Sequence, residues 1–529
     1  MSSDESQYRQ ISEAPTNPRG KGAAKGFDVG DLYQGPAAEG GPAQSAGMAL
    51  DEKLRQAYFW VANHAIINPF YDIEYNDAPP AVITMGDSKS PVSLPTDQSY
   101  SSFVLLPLLN FAVRKRCLLV GGPGRGKTAS AVLMGVLAGY PLKELRRAIL
   151  HGQPQMTIAD LLGNPLPSAL VEAKSADQIQ ISWRKWLSMR IKIIDEYNRI
   201  PTRTQSALLT VMADNYAEMF DQTFECPEAA WYLTANDDAG GGTYQVIEAL
   251  KDRIDVVVKA LHFNSRFLKE LLERIELNIR PEEVVPPEII FTEKELDEAH
   301  RRILAVGVPP AVRRRLEFFV SWFEFMESAG QQLEYKTKDT LKLAGVDFRQ
   351  AAATESGKDR LKDLGLQTQN GLSVRSLMTA LVFAKAMAFF RGNGAVSLED
   401  VRQIMPFVLH DKMTQNPDAP FFEQPGHGVF RSDKVGWIRR LFDLACAEYE
   451  RLDLDRQDPV GDLAAQFEEG LEGLKEKEVQ ARLARIVELL EEWSRGRKFY
   501  GHMYDDVLQL KYLHQRYTNY LKWLRWKGG

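Results

Sequence analysis

Lys127 and Thr128 close an octet, GGPGRGKT (121–128), that follows an apolar run from Cys117 to Val120. Glycine is costly inside regular structure, so four of them beside a lysine mark backbone that must pass close to something. The spacing, a glycine, four residues, then Gly126, Lys127 and Thr128, is that of a phosphate-binding loop. In this reading backbone N–H groups between residues 122 and 128, with the start of the following helix, surround a β-phosphate. The nucleotide cradle is then Gly121, Gly122, Pro123, Gly124, Arg125, Gly126, Lys127, Thr128 and Ala129. Lys127 reaches the β- and γ-phosphates and Thr128 ligates Mg2+.

A loop of this kind needs an acid at the end of a neighbouring apolar strand to hold the metal. Sixty-eight residues after Lys127, Ile191-Lys192-Ile193-Ile194-Asp195-Glu196 supplies one. Asp195 is assigned to magnesium and Glu196 to polarising the attacking water; two adjacent acids point to hydrolysis of ATP rather than to binding alone. Ala230 to Asn236 reads as a strand ending in an amide, and Asn236 is placed to orient the same water. Taken singly it is more often a cap or turn residue. Arg253, in Lys251-Asp252-Arg253-Ile254-Asp255, precedes a β-rich run; it can stabilise charge on a γ-phosphate or can pair with Asp252 or Asp255 at the surface. Ser373 reads as a helix N-cap, which puts Arg375 in the first turn, where a cation is awkward unless an anion lies near.

The elements that must position these residues follow from the pattern between 113 and 264. Apolar runs (RCLLVG, IKIIDE, AWYLTAND, IDVVVKAL) alternate with helical stretches (TASAVLMGVLAG, QSALLTVMAD), which predicts a parallel sheet covered by helices. Residues 1–48 hold few large apolar side chains and read as a tail without a core of its own. An N-terminal element spans 49–112. A mostly helical second domain spans 265–413, which the family resemblance given below implies is a lid enlarged by an extra stretch, 330–367; a loop-rich linker spans 414–436, and a helical module fills 437–529. The fold class is thus α/β, a P-loop core followed by an all-α lid and an added helical module.

With 529 residues, 44% hydrophobic and 26% charged, the chain has ordinary globular composition and length for about three or four domains. Its three cysteines, Cys117, Cys226 and Cys446, are widely spaced, which indicates neither a disulfide framework nor a zinc site and fits a reducing, cytoplasmic setting. No run of eighteen apolar residues predicts a membrane span, and the opening MSSDESQYRQ is polar where a signal peptide would be apolar. A net charge of −6 argues against wholesale coating of nucleic acid.

In their order these motifs resemble AAA+ ATPases, and more closely the MoxR branch of the helix-2-insert clade. The resemblance rests on GGPGRGKT, TIADLLGNP (157–165), IIDEYNRIPTRTQSALLTVMAD (193–214), LTANDDAGGGTYQVIEALKDRI (233–254) and GLSVRSLMTALVFAKAM (371–387). It covers roughly residues 100 to 415. By it, Lys127 and Thr128 take the Walker A role and Asp195 and Glu196 the Walker B role. Asn236 takes that of sensor 1, Arg253 of the arginine finger and Arg375 of sensor 2, with Arg199 near a subunit interface. Segments 164–186 and 218–227 match the helix-2 insert and the pre-sensor hairpin. The family implies a homo-oligomer, a hexameric ring or spiral, that remodels a partner protein, often one with a von Willebrand factor A domain.

The alternative is a nucleic-acid-dependent motor. Residues 495–529 carry eight Arg or Lys among seven Tyr and Trp from Tyr500 to Trp526, the composition of a base-stacking platform. The same letters have helical spacing and are equally produced by a helix packing its aromatics, which the acidic overall charge favours. An ATP-binding scaffold without turnover is disfavoured by the presence of Glu196, Asn236 and Arg253.

Overall fold

The structure, a computed structural model, describes residues 48–68, 70–75, 80–87, 89–166, 179–236, 246, 248–260, 267–323, 363–495 and 502–528. The expected tail up to residue 47, most of the extra lid stretch and the central part of the helix-2 insert lie outside them.

Five parallel strands form the central sheet: β1 (Arg116–Val120), β2 (Leu150–His151), β3 (Ile191–Asp195), β4 (Ala230–Ala235) and β5 (Val256–Lys259), in spatial order β5-β1-β4-β3-β2. β1, β3 and β4, buried on both faces, read as largely continuous apolar runs rather than alternating ones. The register aligns their carboxyl ends: Val120 lies opposite Ala235 and Lys259, and Asp195 opposite His151. The loops that begin at Gly121, Gly152, Glu196 and Asn236 therefore leave the sheet along one edge, where ligands of open α/β sheets bind.

The helix Ser102–Val113, which precedes β1, is buried along its whole length, as a mostly apolar sequence without a polar stripe requires. Asn110 donates from Nδ2 to the Trp231 carbonyl at 3.0 Å, and the Tyr232 hydroxyl donates to the Pro107 carbonyl at 2.8 Å. Lys192, on β3, is also fully buried. Its Nζ donates to the carbonyls of Trp186, Leu187 and Met189 and so ties the turn 185–189 beneath the strand, while burial pushes the ammonium down to about 8.

The lid is built on Glu293–Ala305, Pro310–Ser321, Val374–Phe390 and Leu398–Leu409. The first and last of these start in Thr292–Glu295 and Ser397–Asp400 capping boxes. The N-terminal element is set into this lid. Lys53 pairs with Glu295 at 2.9 Å, the Tyr75 hydroxyl donates to the buried Asp400 at 2.8 Å, and Tyr58 packs edge-on against Tyr100 and Phe390.

Residues 414–436, expected as a linker, are folded onto the core. Phe421 and Phe422 are buried, with Phe421 against His427 and Phe430, and the next helix, Lys434–Arg451, continues the same core through Phe319–Phe442 and Phe318–Tyr449 ring contacts. Turn-forming letters mark changes of chain direction; the aromatic pair among them marks burial. A separate apolar core begins only at Val460 and joins Pro459–Glu468, Glu476–Ser494 and His502–Gly528. In the last helix Leu510, Leu513, Tyr517 and Leu521 face that core, whereas Trp523 and Trp526 stand 44% and 79% exposed. Among the described residues, no helix is long and apolar enough to cross a membrane.

Candidate functional site

The loop 121–126 needs its glycines for two reasons. Gly124 and Gly126 have φ of +73°, and a Cβ on Gly121 would stand 2.7 Å from the Ala260 carbonyl oxygen. Arg125 donates from Nη1 to that carbonyl at 3.0 Å and so clasps the loop to the end of β5. The helix Lys127–Leu137 starts at once, pointing its N-terminus into the loop.

Lys127, 7% exposed, donates from Nζ to the carbonyls of Gly121 (2.5 Å) and Gly122 (2.8 Å) and to Asn236 Oδ1 (2.9 Å). Asn236 in turn donates from Nδ2 to Glu196 Oε1 at 2.8 Å. The Thr128 hydroxyl donates to Asp195 Oδ1 at 2.6 Å. Residues that lie far apart in sequence thus form one bonded constellation at the carboxyl edge of the sheet. Thr128 and Asp195 offer two hard oxygens at a single point, a set that suits Mg2+, which keeps most of its shell as water and phosphate oxygen.

Two residues of this constellation were not singled out in the sequence. The fully buried Thr234 donates its hydroxyl to Asp195 Oδ1 at 2.7 Å and accepts the Glu196 N–H at 2.9 Å, fixing both acids. Its position two residues before Asn236, pointing to the same side of β4, is the signal that could have found it. His151 lies with Nδ1 3.2 Å from Asp195 Oδ2.

Glu196 itself sits at φ +52°, a left-handed conformation unusual for a residue with a side chain. Gly152 makes room for it: the Gly152 N–H donates to the Asp195 carbonyl at 2.7 Å, and a Cβ there would stand 2.2 Å from the Glu196 carbonyl oxygen. Gly152→Ala is therefore expected to push the Glu196 backbone out of place. Turnover should fall about a hundredfold, the cost of a misplacement near 1 Å, while Mg·ATP still binds. Steady-state hydrolysis beside equilibrium binding checks this.

The two arginines lie elsewhere. Arg253 ends the helix Glu248–Arg253, just before β5, so it stands at the amino end of a parallel strand whose carboxyl end meets the loop. Four strand residues separate the two ends, about 13 Å, more than an arginine side chain spans. Arg375 pairs with Asp252 Oδ2 at 3.0 Å, and Thr379, one turn later, donates to the buried Asp255 at 2.6 Å. The anion beside Arg375 in this structure is the Asp252 carboxylate. The structure thus groups Lys127, Thr128, Asp195, Glu196 and Asn236, and separately Arg375 with the segment that carries Arg253.

Two family profiles agree with this architecture. The profile of the ATPase family associated with various cellular activities (AAA) matches residues 116–256, and that of the AAA lid domain matches residues 363–427. The Chaperone MoxR1 of Mycobacterium tuberculosis is 24% identical over 231 residues, 43% of this chain and 51% of the relative, so the chain spans about half that protein's length. A solved structure from Cytophaga hutchinsonii, provisionally assigned as an ATPase, is 19% identical, with 63% of this chain and 88% of the other covered at a TM-score of 0.43.

Proposed function

We propose that the chain, with the core of a MoxR-type AAA+ ATPase, hydrolyses Mg·ATP and uses the cycle to remodel a partner protein. The observation that carries the reading is the unbroken hydrogen-bonded set from Thr128 through Asp195, Thr234, Glu196 and Asn236 to Lys127. Lys127 exchanges its three oxygen partners for those of the β- and γ-phosphates. Thr128 and Asp195 would hold Mg2+, which would supply positive charge to offset that of the β- and γ-phosphates. Glu196 and Asn236 hold the attacking water between them, Glu196 accepting through a carboxylate oxygen.

Arg253 serves the nucleotide of an adjacent copy, because it precedes β5 whereas the phosphate loop follows β1, and Arg375, paired with Asp252, takes the role of the lid's phosphate contact. The working form is accordingly a homo-oligomer, six copies by family resemblance, acting in the cytoplasm. The partner is a protein with a von Willebrand factor A domain, and the module from Val460 onward, with Trp523 and Trp526 exposed, is the surface offered to it.

Glu196→Gln tests the reading. The carboxamide keeps the size of the side chain and the contacts to phosphate and metal but cannot take the water's proton, so ATP should bind and persist. Hydrolysis should drop by about two to four orders of magnitude, and affinity capture with this variant should retain the partner. Wild-type turnover would remove Glu196 from its role.

A further inference from the structure

The last helix, His502–Gly528, carries a face that its own core does not use. Leu510, Leu513, Tyr517 and Leu521 point inward, which turns Lys511, Tyr512, Arg516, Lys522, Trp523 and Trp526 outward, and all six are exposed. From Lys511 to Trp526 this face runs about 22 Å at the helical rise per residue. After Asp506 the helix has no acid, although the whole chain has a net charge of −6. Among the described residues Arg525 pairs with Glu476 at 2.8 Å, whereas Lys511, Arg516, Lys522 and Lys527 have no carboxylate partner. Two of these cations lie against rings instead: Arg516 stands 5.4 Å from the Phe467 centroid and Lys527 4.9 Å from that of Trp523.

We infer that this face docks an acidic, amphipathic segment of the partner protein, with carboxylates along Lys511, Arg516 and Lys522 and apolar side chains against Trp523 and Trp526. The inference rests on the reading of the module as the surface offered to a partner. A row of cations without counter-charges attracts an anionic partner, and exposed tryptophans give that partner anchors. The aromatic geometry selects the kind of anion. Trp523 is stacked on Tyr520 at 5.5 Å and 26° and has Lys527 over its ring, so the helix itself already engages the ring faces that a nucleobase needs. A lipid surface needs a continuous apolar face, and here the exposed Gln515 and Asn519 come between Tyr512 and Trp523. Aliphatic side chains can pack on ring edges, and carboxylates can reach between them to the ammonium and guanidinium groups.

The test is fluorescence anisotropy of a labelled peptide of about twenty residues, with Glu and Leu at helical spacing, long enough to cover the face. Titrated with the full chain, it should bind and should weaken as salt rises. Trp526→Ala should weaken binding about tenfold or more, as loss of a central anchor does. Lys511→Glu with Lys522→Glu should weaken it by about tenfold, by placing like charges opposite one another. A thermal melt of each variant excludes unfolding as the cause. Equal binding of a peptide with Lys in place of Glu, tighter binding of oligo-dT or of phosphatidylserine vesicles, or affinity unmoved by these substitutions overturns the inference. It is also overturned if mass measurement shows two copies pairing through this face and Lys522→Glu abolishes the pairing. Failure of the underlying reading looks different: the peptide binds as described, yet a Glu196→Gln chain retains its partner equally with and without Trp526→Ala.

Discussion

Lys127→Ala abolishes nucleotide binding: the expected result is a loss of ATP affinity by about two to four orders of magnitude, because at least two charge-assisted hydrogen bonds of ~1.5–3 kcal/mol each are removed. The geometry explains why no neighbour compensates. The ammonium bonds to two loop carbonyls and to Asn236, so it is preorganised within the loop and is buried there. Truncation to a methyl group leaves those carbonyls facing one another and leaves the phosphates with backbone N–H groups and a metal alone. Arg125, the nearest other cation in sequence, is committed to the Ala260 carbonyl. Equilibrium binding of a fluorescent ATP analogue measures the loss, and a thermal melt run beside it separates loss of the site from loss of the fold. Undiminished affinity in a folded variant would remove the phosphate-loop assignment.

The phosphate loop, the acid pair and the terminal amide were legible in the sequence because each chemistry demands particular residue types at the end of an apolar strand. Gly121, Asp195 and Asn236 announce themselves by interrupting such runs. What was not legible depends on strand order. Nothing in the letters says that β4 lies between β1 and β3, and only that order brings Thr234 against Asp195 and Asn236 against both Lys127 and Glu196. Gly152 is similar: its need is a neighbour's carbonyl, not its own conformation. The partner of Arg375 was open in the sequence for the same reason, since the pairing with Asp252 crosses 123 residues and two layers of the fold. The segment 414–436 shows a different limit. Its glycines, prolines and polar residues are those of a loop, and Phe421 and Phe422 were the sign that it is packed.

Arg253→Ala should leave ATP binding by an isolated subunit near its normal value while hydrolysis by the assembly falls about a thousandfold or more, the loss expected when an arginine finger is removed. Direction of the strand is the argument. Arg253 precedes β5, and the loop that would hold ATP follows the carboxyl ends of the adjacent strands, so the residue stands at the other end of β5 from its own site. The carboxylates on either side of it are engaged by other groups: Asp252 accepts from Arg375 and Ser373, and Asp255 from Arg116 and Thr379. These contacts fix the segment to the lid helix Val374–Phe390, which makes the arginine's position depend on how that lid is held. Mixing subunits gives the decisive measurement. Lys127→Ala subunits cannot bind ATP but carry an intact arginine, so in mixed rings they should restore part of the turnover of Arg253→Ala neighbours. The restored activity should rise with the fraction of Lys127→Ala and then fall as competent nucleotide sites are diluted out. If mass measurement shows that mixed rings form and turnover stays at the level of Arg253→Ala alone, Arg253 acts within its own subunit or only through packing, and the proposal that assembly completes the site fails with it.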